Sequence, residues 1–439
     1  MAQYCIKGHS GGEIAESVER AIEQGALAPG EALPSVRALA GELGVSPTTV
    51  SAALNDLRSR GLIVTRERSR SQVSWRPPLG GAPQRPTAPA GARDLASGNP
   101  DPALLPDLTP FLRRLDPPMQ LYGGEPMVPE LRALAGAELS AAGVGSDAIA
   151  VTSGALDGIE RVLQANTRPG DLVAVEDPGF AGLFDLLRAL GLALRPVPID
   201  GKGMLPDELA AALEEGASAI VLNPRGQNPT GASLDEKRAK ELRAALKRAP
   251  RALLIEDDHL GPIAGVPRIS LTAGRERWAS ALSLAKSLGP DLRLAVLAGD
   301  EQTISRVRGR QAVGPQWVSH LLQHLVAAMW GDRGVSAALE RAADTYRERR
   351  ERFLEALVER GIEVSATAGI AVWIPVPEEA PVLQSLLAQG WAVMPGAPFR
   401  LQSDRAIRIT TSTLTGSDAE ELAEAIQMAL RPGSATRTA

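Results

Sequence analysis

The sequence has a single cysteine, Cys5, among its 439 residues. No disulfide can form within the chain, so a reducing cytosol is the compartment that the sequence predicts. It has no apolar run of the length that a signal peptide or a membrane span requires, and we therefore expect a cytoplasmic protein without a membrane segment. The net charge of −5 excludes a general affinity of the whole chain for polyanions. Any contact with nucleic acid must come from a local basic patch.

What the sequence does have is a segment dense in proline, glycine and alanine. "RPPLGGAPQRPTAPAGARD", from Arg76 to Asp94, has no apolar periodicity. It cannot bury enough surface to offset its chain entropy, which predicts an extended linker. Because 439 residues are too many for one ordinary domain, we expect several units. The expected organisation is a head of residues 1–75, a linker of residues 76–93, a body of residues 94–432 and a disordered tail of residues 433–439.

The head is predicted to contain three helices followed by a β-hairpin. Apolar residues recur at helical spacing in "GGEIAESVERAIEQG" and "LPSVRALAGELG", which end at Gly25 and Gly44. In the third helix, "VSPTTVSAALNDLRSRG", Ser46 can cap the first turn, Pro47 suits the first position and Gly61 suits the exit. "LIVTRERSRSQVSW" alternates between apolar and charged residues, as a hairpin does. The second and third helices therefore predict a helix-turn-helix, with the hairpin as its wing.

Side chains suited to DNA lie along this helix-turn-helix and its wing. A helix that enters the major groove presents its first turn to base edges and phosphates, where short hydroxyl groups are useful. Arginines on the second helix and on one face of the hairpin suit the DNA backbone, and six arginines face two acids between Ser51 and Arg76. The candidate DNA-binding residues are Arg37, Ser46, Thr48, Thr49, Arg66, Arg68 and Arg70. A capped helix pair with solvated arginines is the alternative.

The stretch "LPSVRALAGELGVSPTTVSAALNDLRSRGLI" resembles the GntR-family DNA-binding domain, and the resemblance covers almost the whole head. That family often places arginine just before the threonine pair and again two residues after it. In this chain those positions are Pro47 and Ser51. Fewer arginines are therefore available to read guanine, so the family's target sequence does not carry over.

The body alternates short apolar runs with helical segments, which predicts a mainly parallel α/β sheet followed by a smaller α+β unit from "IEVSATAGIAVWIPVP" onward. Lys286, in "SLAKSLG", ends one apolar run, where partial desolvation would make its amine a nucleophile toward aldehydes. A surface lysine at a strand end is the alternative for Lys286 taken alone. In "VTSGALDGIE", main-chain N–H groups at a helix N-terminus would suit a phosphate dianion.

From residue 94 to 432 the chain resembles class I/II aminotransferases of fold type I. The matching motifs stand in family order: "LYGGEPMVPELR", "VTSGALDGIE", "VEDPGF", "NPRGQNPTGA", "LIEDDHLGP", "SLAKSLGPDLRLA" and "AIRITTSTL". The resemblance implies pyridoxal 5'-phosphate (PLP) as cofactor, bound to Lys286 as an internal aldimine, and no metal. The implied contacts are Tyr122 with the phosphate of the other subunit, Gly154, Ala155, Leu156, Ser283 and Arg293 with the phosphate, Phe180 with the pyridine ring, Asn228 with the phenolic oxygen, Asp257 with the pyridine nitrogen, and Arg408 with an amino acid carboxylate.

The resemblance leaves two positions open. Many relatives have a tyrosine two or three residues after the pyridine-binding aspartate, where this chain has His259 and Leu260. His259 could donate the same hydrogen bond to the cofactor, or it could be a structural histidine. Asp257 is the residue that aligns with the family's aspartate, and its neighbour Asp258 is the alternative. Taken singly, other motif residues also have structural explanations: core packing for Phe180, a turn for Asn228 and an ion pair for Arg408.

A GntR-type head joined by a long linker to an aminotransferase-like body is the arrangement of the MocR subfamily of bacterial transcriptional regulators. The resemblance implies a homodimer, double-stranded operator DNA as a partner, and a B6 vitamer or amino compound as effector. Effector binding would change domain closure and thereby the grip of the heads on DNA. We therefore expect a regulator and not an enzyme, with residual half-transamination. A working aminotransferase with a DNA-binding appendage is the alternative, and a fold that has lost its cofactor is a third interpretation.

Overall fold

The structure is a computed structural model, which describes residues 6–28, 30–59, 61–64, 71–73, 88–89 and 91–430. The chain forms two compact units, one built around the residues up to 85 and the other containing most of residues 86–439. Within the described ranges, every helix is too short or too polar to cross a bilayer.

The N-terminal unit contains three helices and a short pair of strands. They are α1 (Gly11–Glu23), α2 (Val36–Leu43), α3 (Pro47–Ser59), β1 (Ile63–Val64) and β2 (Gln72–Val73). The two strands are antiparallel, with Ile63 opposite Val73. Buried apolar side chains from all five elements, among them Ile14, Leu39 and Leu57, form one core. The predicted helix-turn-helix and the strand pair of the wing are confirmed, whereas Arg66, Arg68 and Arg70 lie outside the described residues.

The helix ends in this unit follow the local sequence signals. The Ser46 hydroxyl accepts a hydrogen bond from the main-chain N–H of Thr49 at 3.1 Å, which caps the first turn of α3. Gly44 follows α2 with a φ of +66°, a left-handed conformation that glycine adopts without the steric cost of a Cβ. The predicted cap at Ser46 and the predicted helix end at Gly44 are therefore both present.

An eight-stranded mixed sheet forms the centre of the larger unit. Its strands in chain order are β4 (Ala148–Thr152), β5 (Leu172–Asp177), β6 (Ala193–Asp200), β7 (Gly203–Met204), β8 (Ala219–Leu222), β9 (Leu253–Asp258), β10 (Trp278–Ser283) and β11 (Ala295–Gly299). Across the sheet the order is β4-β11-β10-β9-β8-β5-β6-β7. The pairs β5–β8, β8–β9 and β9–β10 are parallel, while β11 is antiparallel to both of its neighbours. The expected parallel strands therefore form the middle of a mixed sheet.

Helices follow most of these strands, and α6 and α11 pack against the β4 side of the sheet. The helices between residues 100 and 360 are α4 (Thr109–Arg114), α5 (Pro129–Ala141), α6 (Ala155–Asn166), α7 (Ala181–Ala189), α8 (Pro206–Glu214), α9 (Glu236–Leu246), α10 (Ala285–Leu288), α11 (Glu301–Ala312), α12 (His320–Trp330) and α13 (Arg333–Glu359). This alternation of strand and helix is the α/β pattern that the sequence predicts.

A smaller α+β part follows, as predicted. Its elements are β12 (Ala371–Pro375), α14 (Glu379–Ala388), β13 (Trp391–Ala392), β14 (Met394–Pro395), β15 (Ala406–Thr410) and α15 (Gly416–Leu430). Strands β12, β15 and β14 form one antiparallel sheet. The short strand β3 (Arg93–Asp94) pairs in parallel with β13. Arg93, which the sequence places at the end of the linker, is therefore already part of a strand.

Candidate cofactor site and nucleic-acid interface

The candidate cofactor site lies where three parallel strands of the large sheet end. Asn223 directly follows β8, Asp257 and Asp258 end β9, and Ser283 ends β10, three residues before Lys286. The carboxyl ends of parallel strands meet at one edge of a sheet, which is where α/β folds bind their ligands. Polar residues from distant parts of the sequence are thereby brought to one place.

The alternation of side chains along β9 separates its three acidic residues. Successive residues of a strand point to opposite faces, so Glu256 and Asp258 share one face and Asp257 lies on the other. Glu256 and Asp258 are fully buried and both pair with Arg268, and Asp258 also binds Arg225 at 2.8 Å. Burial opposes ionisation of Asp258, but the two arginines outweigh it and lower the pKa of this carboxyl. The Asp258 face therefore carries a buried ion-pair network.

Asp257 lies in the opposite environment. It is 8% exposed, and within the described part of the chain no group donates a hydrogen bond to its buried Oδ1. Burial and the negative charge of Asp258 raise the pKa of Asp257 to about 7, against the opposing effect of Lys286. A buried carboxylate oxygen without a donor fits a ligand that carries a proton, such as a pyridinium nitrogen. Of the two aspartates, Asp257 is thus the one whose surroundings fit the cofactor ring.

Lys286 contacts the main chain of a distant segment. It lies in the short helix α10 after β10, and its Nζ donates a hydrogen bond to the carbonyl oxygen of Gly98 at 2.8 Å. The guanidinium of Arg408 donates to the carbonyl oxygen of Ala96 in the same segment. Gly98 has a φ of +65°, and a Cβ at this position would lie 2.9 Å from Arg408 Nη2. We call residues 96–98 the bridging segment, because it connects Lys286 with Arg408.

Arg408 is held in a fixed position in β15. Its side chain is 6% exposed, and its guanidinium stacks 5.0 Å from the ring centroid of Phe399. Its Nη1 also donates to Oδ1 of Asn228 at 3.4 Å. The structure therefore brings together Asn228 and Arg408, two residues that the family resemblance assigns to the phenolic oxygen and the carboxylate.

The start of α6 forms a cradle for an anion. Gly154 precedes this helix with a φ of +108°, and a Cβ there would lie 2.9 Å from Arg293 Nη2. Glycine is therefore needed for the close approach of the arginine. The main-chain N–H groups of Gly154, Ala155 and Leu156 belong to the positive end of the helix dipole. Ser283 lies buried at the end of β10. A helix N-terminus beside a guanidinium group fits a phosphate dianion.

Asn223 is a polar residue of this site that the sequence analysis missed. Its Nδ2 donates to the carbonyl oxygen of Asp257 at 2.7 Å and lies 3.3 Å from Nδ1 of His259. Its main-chain N–H donates to Glu176 at 3.2 Å. A buried amide at the end of an apolar run, "SAIVLNP", is the signal that could have identified it, since β8 is the parallel neighbour of β9, the strand that carries Asp257.

The two residues that stand in place of the family's tyrosine point to different surroundings. Leu260 is 1% exposed and packs against the backbone of Gly226 and Gly369. His259 contacts Asn223, and burial, together with the nearby charge of Lys286, lowers the pKa of His259 to about 3. The histidine is therefore a neutral imidazole beside the lysine, while the leucine belongs to the core.

Phe180 and Tyr122 occupy two different settings. Phe180 is half-buried before α7, in a loop whose Gly179 N–H donates to the carbonyl oxygen of Phe399. Tyr122 is 84% exposed, and its ring packs edge-on against Trp317 at 5.6 Å. The cofactor contacts predicted for both aromatic residues stay predictions.

The candidate nucleic-acid interface is on the N-terminal unit. Ser46 and Thr48 are exposed at the start of α3, and Arg37 is exposed in the first turn of α2. Thr49 is half-buried, and its hydroxyl lies 2.8 Å from that of Ser46. Ser46 and Thr49 therefore build the helix cap, while Thr48 and Arg37 present their side chains to solvent at the helix-turn-helix.

A helix-turn-helix unit followed by an α/β unit with this lysine, aspartate and anion cradle defines the class of aminotransferase-like transcriptional regulators. Residues 11–73 match the gntR family of bacterial regulatory proteins, and residues 94–426 match the family of class I and II aminotransferases. The chain therefore belongs to the aminotransferase class I and II family and carries a GntR-type DNA-binding domain, as the MocR subfamily of transcriptional regulators does.

Individual relatives agree with this assignment. Over 97% of this chain and 99% of the relative, the sequence is 40% identical to the vitamin B6 salvage pathway transcriptional repressor PtsJ of Salmonella typhimurium. It is 28% identical to the HTH-type transcriptional regulator TauR of Rhodobacter capsulatus over 88% of each chain. A kynurenine aminotransferase structure from Pyrococcus horikoshii has the same fold, with a TM-score of 0.71 and 20% identity over 78% of this chain and 91% of the other. The predicted fold and the predicted regulator class are both confirmed.

Proposed function

We propose that this DNA-binding regulator holds PLP at Lys286 and senses a B6 vitamer or an amino compound through the same pocket. The observation that carries the proposal is the carboxyl of Asp257 near Lys286, because its buried Oδ1 receives no hydrogen bond from the described residues and so fits a protonated ligand nitrogen. The 40% identical relative is named for vitamin B6 salvage, which supports a B6 vitamer as the effector.

Each residue of the pocket would have a definite part. When bound, PLP supplies an aldehyde that captures amines and a pyridine ring that withdraws electrons. We assign the pyridine nitrogen to Asp257, the phenolic oxygen to Asn228 and His259, the ring face to Phe180, the phosphate to Gly154, Ala155, Leu156, Ser283, Arg293 and the partner's Tyr122, and an effector carboxylate to Arg408. A guanidinium can bind a carboxylate through two parallel hydrogen bonds.

The bridging segment offers a route from the pocket to the head. Its carbonyl oxygens accept hydrogen bonds from Lys286 and Arg408, so both groups have main-chain partners in this segment. The amine of Lys286 would lose N–H groups if it captured the cofactor aldehyde. An effector carboxylate would compete with Ala96 for the guanidinium of Arg408. Ligand binding therefore changes the partners of residues 96–98, which lead through β3 directly into the linker. A difference in ligand affinity between two conformations of this segment is sufficient to couple the pocket to the linker.

A homodimer is part of the proposal. Large apolar side chains are exposed along residues 112–122 and at residues 313–321, among them Leu112 at 53%, Met119 at 89% and Leu121 at 74%. Exposed apolar surface of this kind marks an interaction site. Two heads in one dimer would bind paired half-sites on operator DNA with increased avidity.

The proposed domains are the head of residues 1–75, the linker of 76–93, the body of 94–432 and the tail of 433–439. The two family matches, 11–73 and 94–426, fall within the head and the body. We place the protein in the cytoplasm, where a regulator of transcription meets DNA.

The test of cofactor attachment uses two lysine variants. Protein incubated with PLP is reduced with borohydride, digested and analysed by mass spectrometry. The adduct is expected on Lys286, absent from Lys286→Ala, and unchanged in Lys237→Ala, whose lysine is exposed on α9. A reduced adduct on another lysine in Lys286→Ala would refute the assignment.

An active aminotransferase is the second candidate, and the combination of Lys286, Asn228 and Arg408 favours it. Steady turnover of an amino acid with an α-keto acid in the absence of DNA would establish it. A mobility shift of the protein's own promoter DNA, with affinity that falls steeply as salt rises, would support the regulator. We expect the shift, and at most a single half-reaction without turnover.

A further inference from the structure

Asn223 lies between two of the groups near Lys286, Asp257 and His259. It is 7% exposed, its Nδ2 donates to the carbonyl oxygen of Asp257 at 2.7 Å, and the same atom lies 3.3 Å from Nδ1 of His259. An amide nitrogen can only donate hydrogen bonds. One of its N–H groups donates to the carbonyl oxygen of Asp257, and the other has Nδ1 of the imidazole within hydrogen-bond distance as an acceptor.

This contact determines where the imidazole proton lies. A neutral imidazole has one N–H group and one acceptor nitrogen. Burial keeps His259 neutral, since its pKa is lowered to about 3. With Nδ1 accepting from Asn223, the single proton must be on Nε2. The other residue that could replace the family's tyrosine, Leu260, is buried in apolar contacts.

We infer that Asn223 is a positioning residue, which fixes His259 as the Nε2–H tautomer so that the imidazole donates a hydrogen bond to the phenolic oxygen of the bound cofactor. His259 thereby takes the place of the tyrosine hydroxyl of many class I/II aminotransferases. The inference rests on the proposed function, namely that PLP binds at Lys286. It assigns a role to a residue outside the sequence-predicted set.

The tautomer of His259 affects the visible absorption of the bound cofactor. A donor to the phenolic oxygen stabilises the negative charge there and so favours the deprotonated chromophore. If His259 is removed, or if its Nε2 presents a lone pair to the phenolic oxygen in place of an N–H group, the pH midpoint at which the visible absorption of the bound cofactor changes rises. We expect a rise of about one pH unit, which corresponds to about 1.4 kcal/mol of interaction with the charged form.

A double-mutant cycle separates this role from a merely structural one. The absorption of PLP-loaded protein is titrated against pH for wild type, Asn223→Ala, His259→Phe and the double variant. If Asn223 acts through His259, each single variant raises the midpoint and the double variant raises it no further. An Asn223 that only supports the main chain of Asp257 would shift the midpoint by the same amount in the His259→Phe background, which would overturn the inference.

Two further variants complete the experiment. Asn166→Ala removes a partly buried amide from the end of α6 and should leave the midpoint at its wild-type value. His259→Tyr should restore a low midpoint in the presence of Asn223→Ala, because a hydroxyl donates without needing a fixed tautomer. An unchanged midpoint in Asn223→Ala would contradict the inference. A wild-type protein that forms no visible chromophore at all would instead refute the proposed cofactor site.

A measurement without variants of Asn223 covers the case in which they do not fold. Nitrogen-15 NMR of cofactor-free protein labelled at histidine distinguishes the two neutral tautomers, and His259→Phe assigns the signal among the four histidines. The inference predicts the Nε2–H form for His259. The Nδ1–H form, or an equal mixture of the two, would contradict it.

Discussion

Asp257 and Asp258 are neighbours in one strand but differ in what surrounds their carboxyl groups. Asp258 is paired with Arg225 and Arg268, whereas Asp257 has a buried oxygen for which the described residues provide no donor. Residues retained for a ligand often lower the stability of the protein without that ligand. The pair therefore allows ligand binding and folding stability to be tested with two isosteric substitutions.

Asp257→Asn should remove a pH-dependent loss of stability from the cofactor-free protein. The carboxyl of Asp257 ionises near pH 3.8 when unfolded and near pH 7 when folded, so the unfolded state loses its proton first. Stability therefore falls as pH rises from about 4 to about 7, by at most ~1.4 kcal/mol per unit of pKa shift. Urea unfolding at pH 5 and pH 8 should show that the free energy of unfolding of the variant, relative to wild type, is higher at pH 8 than at pH 5. Equal differences at both pH values would contradict this.

Asp258→Asn should have the opposite effect on folding. Removing this charge leaves Arg225 and Arg268 buried with less compensation, although Arg268 keeps Glu256. Breaking a buried pair by removing one partner costs about 3–5 kcal/mol. We expect the urea concentration at half-unfolding to be clearly lower than that of wild type at pH 7. A midpoint equal to that of wild type would show that the network contributes nothing to stability.

At the scale of elements, α3 separates the residues that build its first turn from those that face solvent. Ser46 accepts a hydrogen bond from the Thr49 main chain and caps the helix, while Thr48 is exposed beside it. Ser46→Ala should destabilise the head by ~1 kcal/mol. Thr48→Ala should leave the unfolding midpoint unchanged but weaken DNA binding several-fold, as expected for one lost contact. Thermal unfolding and gel-shift titration of both variants check the pair, and a stability loss only in Thr48→Ala would reverse the assignment.

How far the sequence predicts an element depends on the range of the interactions that form it. The cap at Ser46 and the helix end at Gly44 are encoded by adjacent residues, and the structure has both. The antiparallel placement of β11 in the large sheet is not predictable in this way, because strand order depends on pairing between distant segments. Asn223 was missed for the same reason: its partners Asp257, on the next strand of the sheet, and His259, directly after that strand, are 34 and 36 residues away.

At the scale of the whole molecule, the bridging segment is where ligand binding would reach the linker. Gly98→Ala should disturb it, because Gly98 has a φ of +65° and a Cβ there would lie 2.9 Å from Arg408. Gly91→Ala is the matched control, since Gly91 also has a positive φ, +87°, but none of the described atoms lies within 4 Å of the added Cβ. We expect the ratio of DNA affinities with and without PLP to move toward one in Gly98→Ala only. An identical loss of response in both variants would point to general strain near the linker.

The affinity of the protein for the DNA upstream of its own gene, at one fixed salt concentration, tests the central claim most directly. It is measured for cofactor-free protein, for PLP-loaded protein with and without a panel of amines, and for Lys286→Ala mixed with PLP. We predict that loading changes the affinity of wild type by at least about fivefold, the lower end of allosteric coupling, and leaves Lys286→Ala unchanged. Equal affinities for cofactor-free and loaded wild-type protein under every amine would contradict the claim that the pocket controls the heads.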